Sequence, residues 1–110
     1  MRLLTIGAEY RGPLNLFGCG ITSANVFEKQ VLETFDETPT MHLRLRGTEC
    51  TSDKIIKYFR VILSNLDNEN VFIYYAGHGN KIRNREYWHT SCGNVDQIKI
   101  ASLINEINDD

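Results

Sequence analysis

The feature that most restricts the fold is an unbroken run of apolar and aromatic residues, Val71–Tyr75. Its length and its β-branched and aromatic side chains are typical of a β-strand. A strand without a polar face must be covered on both sides, as happens in parallel sheets with helices packed on them. The run therefore predicts a buried strand of an α/β fold, which Gly77 and Gly79 bring to an abrupt end.

Length and composition are those of one globular domain. The chain has 110 residues, of which 42% are hydrophobic and 24% are charged, close to globular averages. The net charge of −2 predicts neither nucleic acid nor an anionic membrane as a partner. No apolar run reaches the ~20 residues of a membrane-spanning helix. The odd cysteine count (Cys19, Cys50 and Cys92) favours a reducing, cytoplasmic location.

The first half of the chain is predicted to form a strand, a loop, a helix and a strand. Leu3–Ile6 predicts a short buried strand, and the glycines and prolines of Ala8–Gly20 predict a long loop. Thr22 or Ser23 then predicts the N-terminal cap of a helix. Its apolar stripe comprises Ala24, Phe27, Val31 and Phe35. The alternating residues of Met41–Arg46 predict a half-buried strand.

The second half contains the clearest helical periodicity. A cap at Thr51 or Ser52 precedes an apolar stripe formed by Ile55, Ile56, Phe59, Ile62, Leu63 and Leu66. After Val71–Tyr75 we expect a polar loop, a short strand at Tyr87–Thr90, and a last helix containing Ile100, Leu103, Ile104 and Ile107. Strands alternating with helices predict an open, mostly parallel α/β sheet with helices on both faces and right-handed crossovers.

His78 is the best candidate for a catalytic residue. It follows the predicted buried strand, and ligands of open α/β sheets bind beyond the carboxyl ends of the strands. The flanking Gly77 and Gly79 leave room for a substrate, and an imidazole can act as a general base near neutral pH. Tyr74 and Tyr75 are predicted core residues beside this site. A histidine that only satisfies the backbone groups of a turn is the alternative that the local sequence leaves open.

Phe72–Gly79, which reads Phe-Ile-Tyr-Tyr-Ala-Gly-His-Gly, resembles the segment of caspases and metacaspases that ends their third core strand with the catalytic His-Gly. Leu4–Gly7 and Leu16–Cys19 are similar to the metacaspase opening, in which a strand and a loop precede Leu-x-Gly-Cys and the first helix. The helix Ser52–Leu66 is in its expected place. Trp88–Ile107 looks like the stretch that leads toward the nucleophile strand. The resemblance thus covers nearly the whole chain.

This resemblance implies a caspase-like cysteine endopeptidase with a three-layer α/β/α fold. His78 would be the general base that activates a cysteine, and the backbone N–H of Gly79 would donate to the oxyanion hole. In caspases the nucleophile lies ~50 residues after the histidine, which here is beyond Asp110. Residues 1–110 would then form a single large-subunit domain, truncated before the nucleophile strand.

The same resemblance implies the partners. These are a polypeptide substrate and a downstream small-subunit-like segment, or a second chain, that completes the sheet and supplies the cysteine. None of the three cysteines of this chain fits the position of the nucleophile. The chain alone is therefore expected to be inactive.

Two metacaspase features are missing. The family places an Asp at the start of the first helix, near the pocket that binds a basic substrate residue, whereas Gly20–Ala24 contains no carboxylate. The paired Asp of the family's calcium site falls on Ile98–Ser102, which offers calcium none of the carboxylates it usually requires. A preference for Arg or Lys therefore does not follow, and we expect no metal and no cofactor.

Other patterns have simpler interpretations. Gly18–Gly20 lacks the third glycine of a dinucleotide loop, and His89 with Cys92 supplies only half of a zinc site. Trp88 indicates packing or the wall of a substrate cleft. Ordinary solvated surface explains the basic residues Arg44, Arg46, Lys81, Arg83 and Arg85. The alternative to a peptidase is a catalytically inactive caspase-fold remnant that acts by binding a partner protein.

Overall fold

A three-stranded parallel sheet forms the centre of the fold. The structure, a computed structural model, describes residues 1–8, 19–82, 85–90 and 93–96, with side chains for residues 1–8 and 20–77. The elements in chain order are β1 (Arg2–Ala8), α1 (Cys19–Thr34), β2 (Met41–Gly47), α2 (Ser52–Ile62), β3 (Val71–Ala76), β4 (His78–Ile82), β5 (Arg85–Thr90) and β6 (Gly93–Asp96). In the parallel sheet the strand order is β2-β1-β3.

The two helices cover opposite faces of this sheet. Alternate residues of β1 point to opposite sides, so Leu4 and Ile6 pack in a cluster with Phe59 of α2, whereas Leu3 packs with Val31 of α1. The predicted α/β class, with helices on both faces of a parallel sheet, is therefore present. No helix in the described part of the chain is long and apolar enough to cross a bilayer.

Helix α2 begins where its sequence predicts. The Thr51 side chain accepts a hydrogen bond from the Lys54 backbone N–H at 3.2 Å, which is the geometry of an N-terminal cap. Every residue of the predicted stripe belongs to one core cluster, with Ile55, Phe59 and Ile62 fully buried. The cap is therefore confirmed. The predicted end at Leu66 is wrong, because the helix ends at Ile62, although Leu63 and Leu66 still pack in the same cluster.

Helix α1 begins earlier than predicted. The cap predicted at Thr22 or Ser23 is wrong, because Cys19 and Gly20 are already helical. In the predicted stripe, Ala24 and Val31 are buried and Phe27 packs against the core cluster on this face. The prediction is wrong for Phe35, which follows the end of the helix and is exposed.

The polar loop predicted after β3 is wrong. Residues 78–82 form β4, which pairs antiparallel with β5, and β5 pairs antiparallel with β6. The backbone hydrogen bonds of such a ladder do not depend on apolar side chains, so the polar sequence gave little sign of the strand. The strand predicted at Tyr87–Thr90 is confirmed within β5. The last predicted helix, residues 100–107, lies outside the described residues.

Burial differs between the strands. All seven residues of β1 are buried, whereas all six residues of β3 are only partly buried. The strand that is covered on both faces is thus β1, and the prediction that Val71–Tyr75 is fully covered is wrong. The reason is position, because β1 lies between two strands while β3 pairs, within the described residues, with β1 alone.

Candidate active site at the carboxyl edge of the sheet

The carboxyl ends of the parallel strands meet at one edge of the sheet. There Gly7 of β1 is aligned with Arg46 of β2 and with Ala76 of β3. His78 begins β4 just beyond this edge, with Gly77 as the only residue between β3 and β4. The histidine singled out in the sequence therefore follows the edge at which open α/β sheets bind ligands.

The first turn of α1 packs directly onto this edge. A Cβ atom at Gly20 would lie 2.5 Å from the carbonyl oxygen of Ala8 and 2.9 Å from that of Ala76. A Cβ atom at Gly7 would lie 2.6 Å from the Gly20 carbonyl oxygen. No side chain fits at such distances, so the contact requires glycine at both positions. The start of α1 thus lies beside the ends of β1 and β3.

The register of β4 gives His78 a neighbour that the sequence did not suggest. His78 is aligned with His89 of β5, and Gly79 is aligned with Trp88. The sequence indicated His89 only as one ligand of an incomplete zinc site. Its alignment with His78 depends on the pairing of two strands, which the spacing of residues in the sequence does not predict. The roles of His78 as general base and of Gly79 as oxyanion donor stay predictions.

Two tyrosines near the end of β3 pack on opposite faces of the sheet. The ring of Tyr74 stacks on Phe27 of α1 with centroids 4.4 Å apart, whereas Tyr75 packs against the cluster on the α2 face. A Cβ atom at Gly77 would lie 2.7 Å from the Tyr75 hydroxyl, so this hydroxyl lies beside the link from β3 to β4. Burial, followed by a contribution from Cys50, raises the pKa of Tyr75, which keeps the phenol neutral at physiological pH.

Cys50 is excluded as a nucleophile by its surroundings. It is 0% exposed, and its Sγ lies 3.5 Å from the carbonyl oxygen of Gly7, to which the thiol donates. A thiol buried in this way is inert, because a nucleophilic cysteine has to be accessible and ionised. Cys19 is the first residue of α1, and Cys92 lies outside the described residues.

The metal predictions concern segments that are described only in part. The segment aligned with the family's calcium site, residues 98–102, lies outside the described residues, as does one half of the His89 and Cys92 pair. Within the described residues, no group of three or more His, Cys, Asp or Glu side chains could hold a metal ion.

A second polar cluster, which the sequence did not predict, lies on the α1 face. Oε2 of Glu28 in α1 is 2.9 Å from Oγ1 of Thr5 in β1. The same oxygen is 2.9 Å from Nε2 of His42, 2.9 Å from Nε of Arg44 and 3.3 Å from Nη2 of Arg46. We call the three β2 residues, His42, Arg44 and Arg46, the basic strip. One carboxylate oxygen thus joins α1 to two strands.

Hydrogen bonds, rather than solvent, surround the innermost member of the basic strip. The Arg46 side chain is 17% exposed, and it donates to the carbonyl oxygen of Thr5 at 2.7 Å and to Oδ1 of Asn25 at 2.9 Å. The prediction of solvated surface is therefore wrong for Arg46. Alternation along β2 did predict a shared polar face, but nothing in the local sequence indicated a carboxylate opposite.

The cluster changes the ionisation of Glu28. Burial alone would raise the pKa of Glu28, but the hydrogen bonds from His42 and Thr5 and the positive charge of Arg44 outweigh it. The net effect lowers the pKa of this carboxyl below its ordinary value, so Glu28 is charged in the folded protein at neutral pH.

No family model matches the chain, and neither a curated protein nor a solved structure matches it.

Proposed function

We propose that this chain is the histidine-bearing portion of a caspase-like cysteine endopeptidase of the metacaspase type. The observation that carries the proposal is the position of His78, which follows the carboxyl end of a parallel strand after a single glycine. That strand end lies beside the end of β1 and the first turn of α1. The arrangement agrees with the resemblance of Phe72–Gly79 to the His-Gly strand of that family.

In the proposed reaction His78 accepts the proton of a cysteine thiol. The thiolate attacks the carbonyl carbon of the scissile peptide bond, and the backbone N–H of Gly79 donates to the oxyanion that forms. His78 then returns the proton to the departing amine, which leaves an acyl-enzyme that water hydrolyses. The cysteine comes from a segment outside this chain, since Cys50 is wholly buried and neither Cys19 nor Cys92 fits the sequence position of a caspase nucleophile.

A catalytically inactive caspase-fold module that binds a partner protein is the second candidate. The observation in its favour is that the thiol of Cys50 is buried and inaccessible to a substrate. The two candidates make different predictions for the natural protein at full length.

The test is hydrolysis of short fluorogenic peptides with Arg, Lys or Asp at the cleavage position. The chain 1–110 alone should show no turnover, because loss of a catalytic nucleophile costs on the order of 10⁶ in rate. The natural protein, expressed at full length, should hydrolyse a peptide of this set, and both His78→Ala and a thiol-blocking reagent should abolish the activity. A His78→Ala protein with an unchanged circular dichroism spectrum is the control for folding. A folded full-length protein without turnover would reject the peptidase and favour the binding module.

A further inference from the structure

The basic strip carries more positive charge than the carboxylate of Glu28 can neutralise. Two guanidiniums face one carboxylate, so the cluster of Glu28 with the strip has a net charge of +1 when His42 is neutral and of +2 when it is protonated. Burial first, and the positive charge of Arg44 second, lower the pKa of Arg46. The two guanidiniums therefore still repel each other, and a further anion nearby would relieve that repulsion.

Arg44 is the member of the strip that a ligand can reach. Its side chain is 51% exposed. Nε donates to Glu28 at 2.9 Å and Nη2 lies 3.3 Å from Oδ1 of Asn25, which leaves Nη1 without a partner in the described part of the chain. The side chain of His42, two residues earlier on the same face, is 29% exposed.

The strip lies on β2, an outer strand of the parallel sheet that the structure describes. β2 pairs with β1, and no other strand among residues 1–8, 19–82, 85–90 and 93–96 pairs with it. The backbone groups of such an edge can accept another extended chain. Side chains on one face of a strand repeat about every 6.6 Å, and residues opposite each other on neighbouring strands have Cβ atoms about 5 Å apart. Acidic side chains at alternate positions of an added strand would therefore lie opposite successive residues of the basic strip.

We propose that the free edge of β2 binds an extended acidic polypeptide segment, whose alternate carboxylates pair with Arg44 and His42. The strand edge supplies the backbone hydrogen bonds and the basic strip supplies the preference for acidic side chains. Arg44 and His42, which the segment would contact, precede Arg46, the residue of the strip that lies at the carboxyl edge of the sheet. The proposed surface is therefore next to the candidate active site but does not include the link to β4. The proposal does not depend on the proposed peptidase.

The test is fluorescence anisotropy of a labelled peptide, Thr-Glu-Val-Glu-Val-Glu-Thr, titrated with chain 1–110 at low salt. The matched probe replaces each Glu by Gln. The acidic peptide should bind at least about tenfold more tightly than the Gln peptide, which corresponds to 1.4 kcal/mol. Arg44→Glu should remove that preference, and Arg44→Gln should weaken it, while the reversal Arg60→Glu on the exposed face of α2 should leave it unchanged. Melting curves of each variant show that the chain is folded.

Several results would overturn the proposal. Equal affinity for the Glu and Gln peptides would remove the role of charge, and an equal loss in Arg60→Glu would indicate attraction that is not specific to the strip. Competition by a single-stranded RNA, tighter than by the peptide and lost in Arg44→Glu, would assign the surface to nucleic acid instead. Full competition by millimolar inorganic phosphate would show that the site binds small anions in general and does not select an acidic polypeptide. In support, a peptide with Lys in place of Glu should bind Arg44→Glu more tightly than the unmodified chain.

Discussion

Glu28 connects elements that are far apart in the sequence. Its Oε2 accepts hydrogen bonds from Thr5 of β1 and from the basic strip of β2, and its side chain is 13% exposed. Hydrogen bonds to a charged group stabilise a fold by more than neutral ones, because the charged partner would otherwise lose its solvation without compensation. This carboxylate therefore holds α1 in position against β1 and β2.

The first prediction concerns the loss of this charge. Glu28→Gln should lower the free energy of unfolding by about 1–3 kcal/mol, because Arg46 would stay mostly buried without its anion. The measurement is chemical denaturation at pH 7. The matched control is Glu33→Gln on the same helix, where the carboxylate is 67% exposed and only 3.9 Å from Lys29; such surface pairs contribute little. Equal losses in the two variants would contradict the role of the cluster.

The second prediction concerns pH. The pKa of Glu28 lies below its ordinary value of 4.5 in the folded protein, so the unfolded chain takes up the proton more readily than the folded one. The stabilisation is therefore complete above the unfolded pKa and is lost as pH falls through about 4.5 toward the folded pKa. Between pH 6 and pH 3 the melting temperature of the unmodified chain should fall more steeply than that of Glu28→Gln. Parallel curves would show that Glu28 is not the group responsible.

At the scale of elements, the start of α1 depends on two glycines that face each other. Alanine inside a helix is normally more stable than glycine by about 0.5–1 kcal/mol. At Gly20 the sign should reverse, because the added Cβ would meet the carbonyl oxygens of Ala8 and Ala76 at 2.5 and 2.9 Å. Both contacts are with backbone, which cannot rotate away.

The third prediction is therefore that Gly20→Ala destabilises the chain by about 1–3 kcal/mol, the usual cost of overpacking. Ser23→Ala, at an exposed position of the same helix, should be neutral or slightly stabilising. Thermal melting followed by circular dichroism compares the two variants. A gain of stability in Gly20→Ala would show that the helix start does not contact the sheet edge.

The elements that the sequence predicted correctly are those whose signals are local. The Thr51 cap and the buried stripe residues Ile55, Phe59 and Ile62 belong to one helix, and the alternation of Met41–Arg46 lies within one strand. The start of α1 was missed because tertiary contact with the sheet overrides the preference of Thr22 or Ser23 for a cap. β4 was missed because it forms by pairing with another segment of the chain, β5.

The site at His78 and the cluster around Glu28 also differ in whether the local sequence could predict them. His78 could be found because it follows an apolar strand and lies between two glycines, and these signals are neighbours in the sequence. The cluster around Glu28 could not, because it joins residue 5, residue 28 and β2 across 41 positions of the chain. Contacts of that kind follow from topology and not from local spacing.

For the whole molecule, the two outer strands of the parallel sheet differ in chemistry. β2 carries the basic strip on one face, whereas β3 reads Val-Phe-Ile-Tyr-Tyr-Ala and is only partly buried along its whole length. Phe72 and Tyr74 are covered on the α1 face by Phe35 and Phe27. The outer edge of β3 pairs with no strand in the described part of the chain, and the side chains along this strand are apolar or aromatic. Such an edge readily pairs with another chain.

The last prediction follows from this edge and from the proposed peptidase, in which the nucleophile strand pairs with the outer side of β3. A separate fragment carrying that strand of the natural protein should bind chain 1–110 and raise its melting temperature in proportion to the logarithm of its concentration, because it binds only the folded form. Without the fragment, chain 1–110 should dimerise or aggregate as its concentration rises, which light scattering measures. The variant Ile73→Lys is a control and should not raise the melting temperature as the fragment does. The substitution adds a charge to a side chain that packs against the core, and it supplies no strand that could pair with β3. A chain that stays monomeric at high micromolar concentration and melts cooperatively above ~65 °C would contradict the prediction. Such a chain would be stable without a further strand paired to β3.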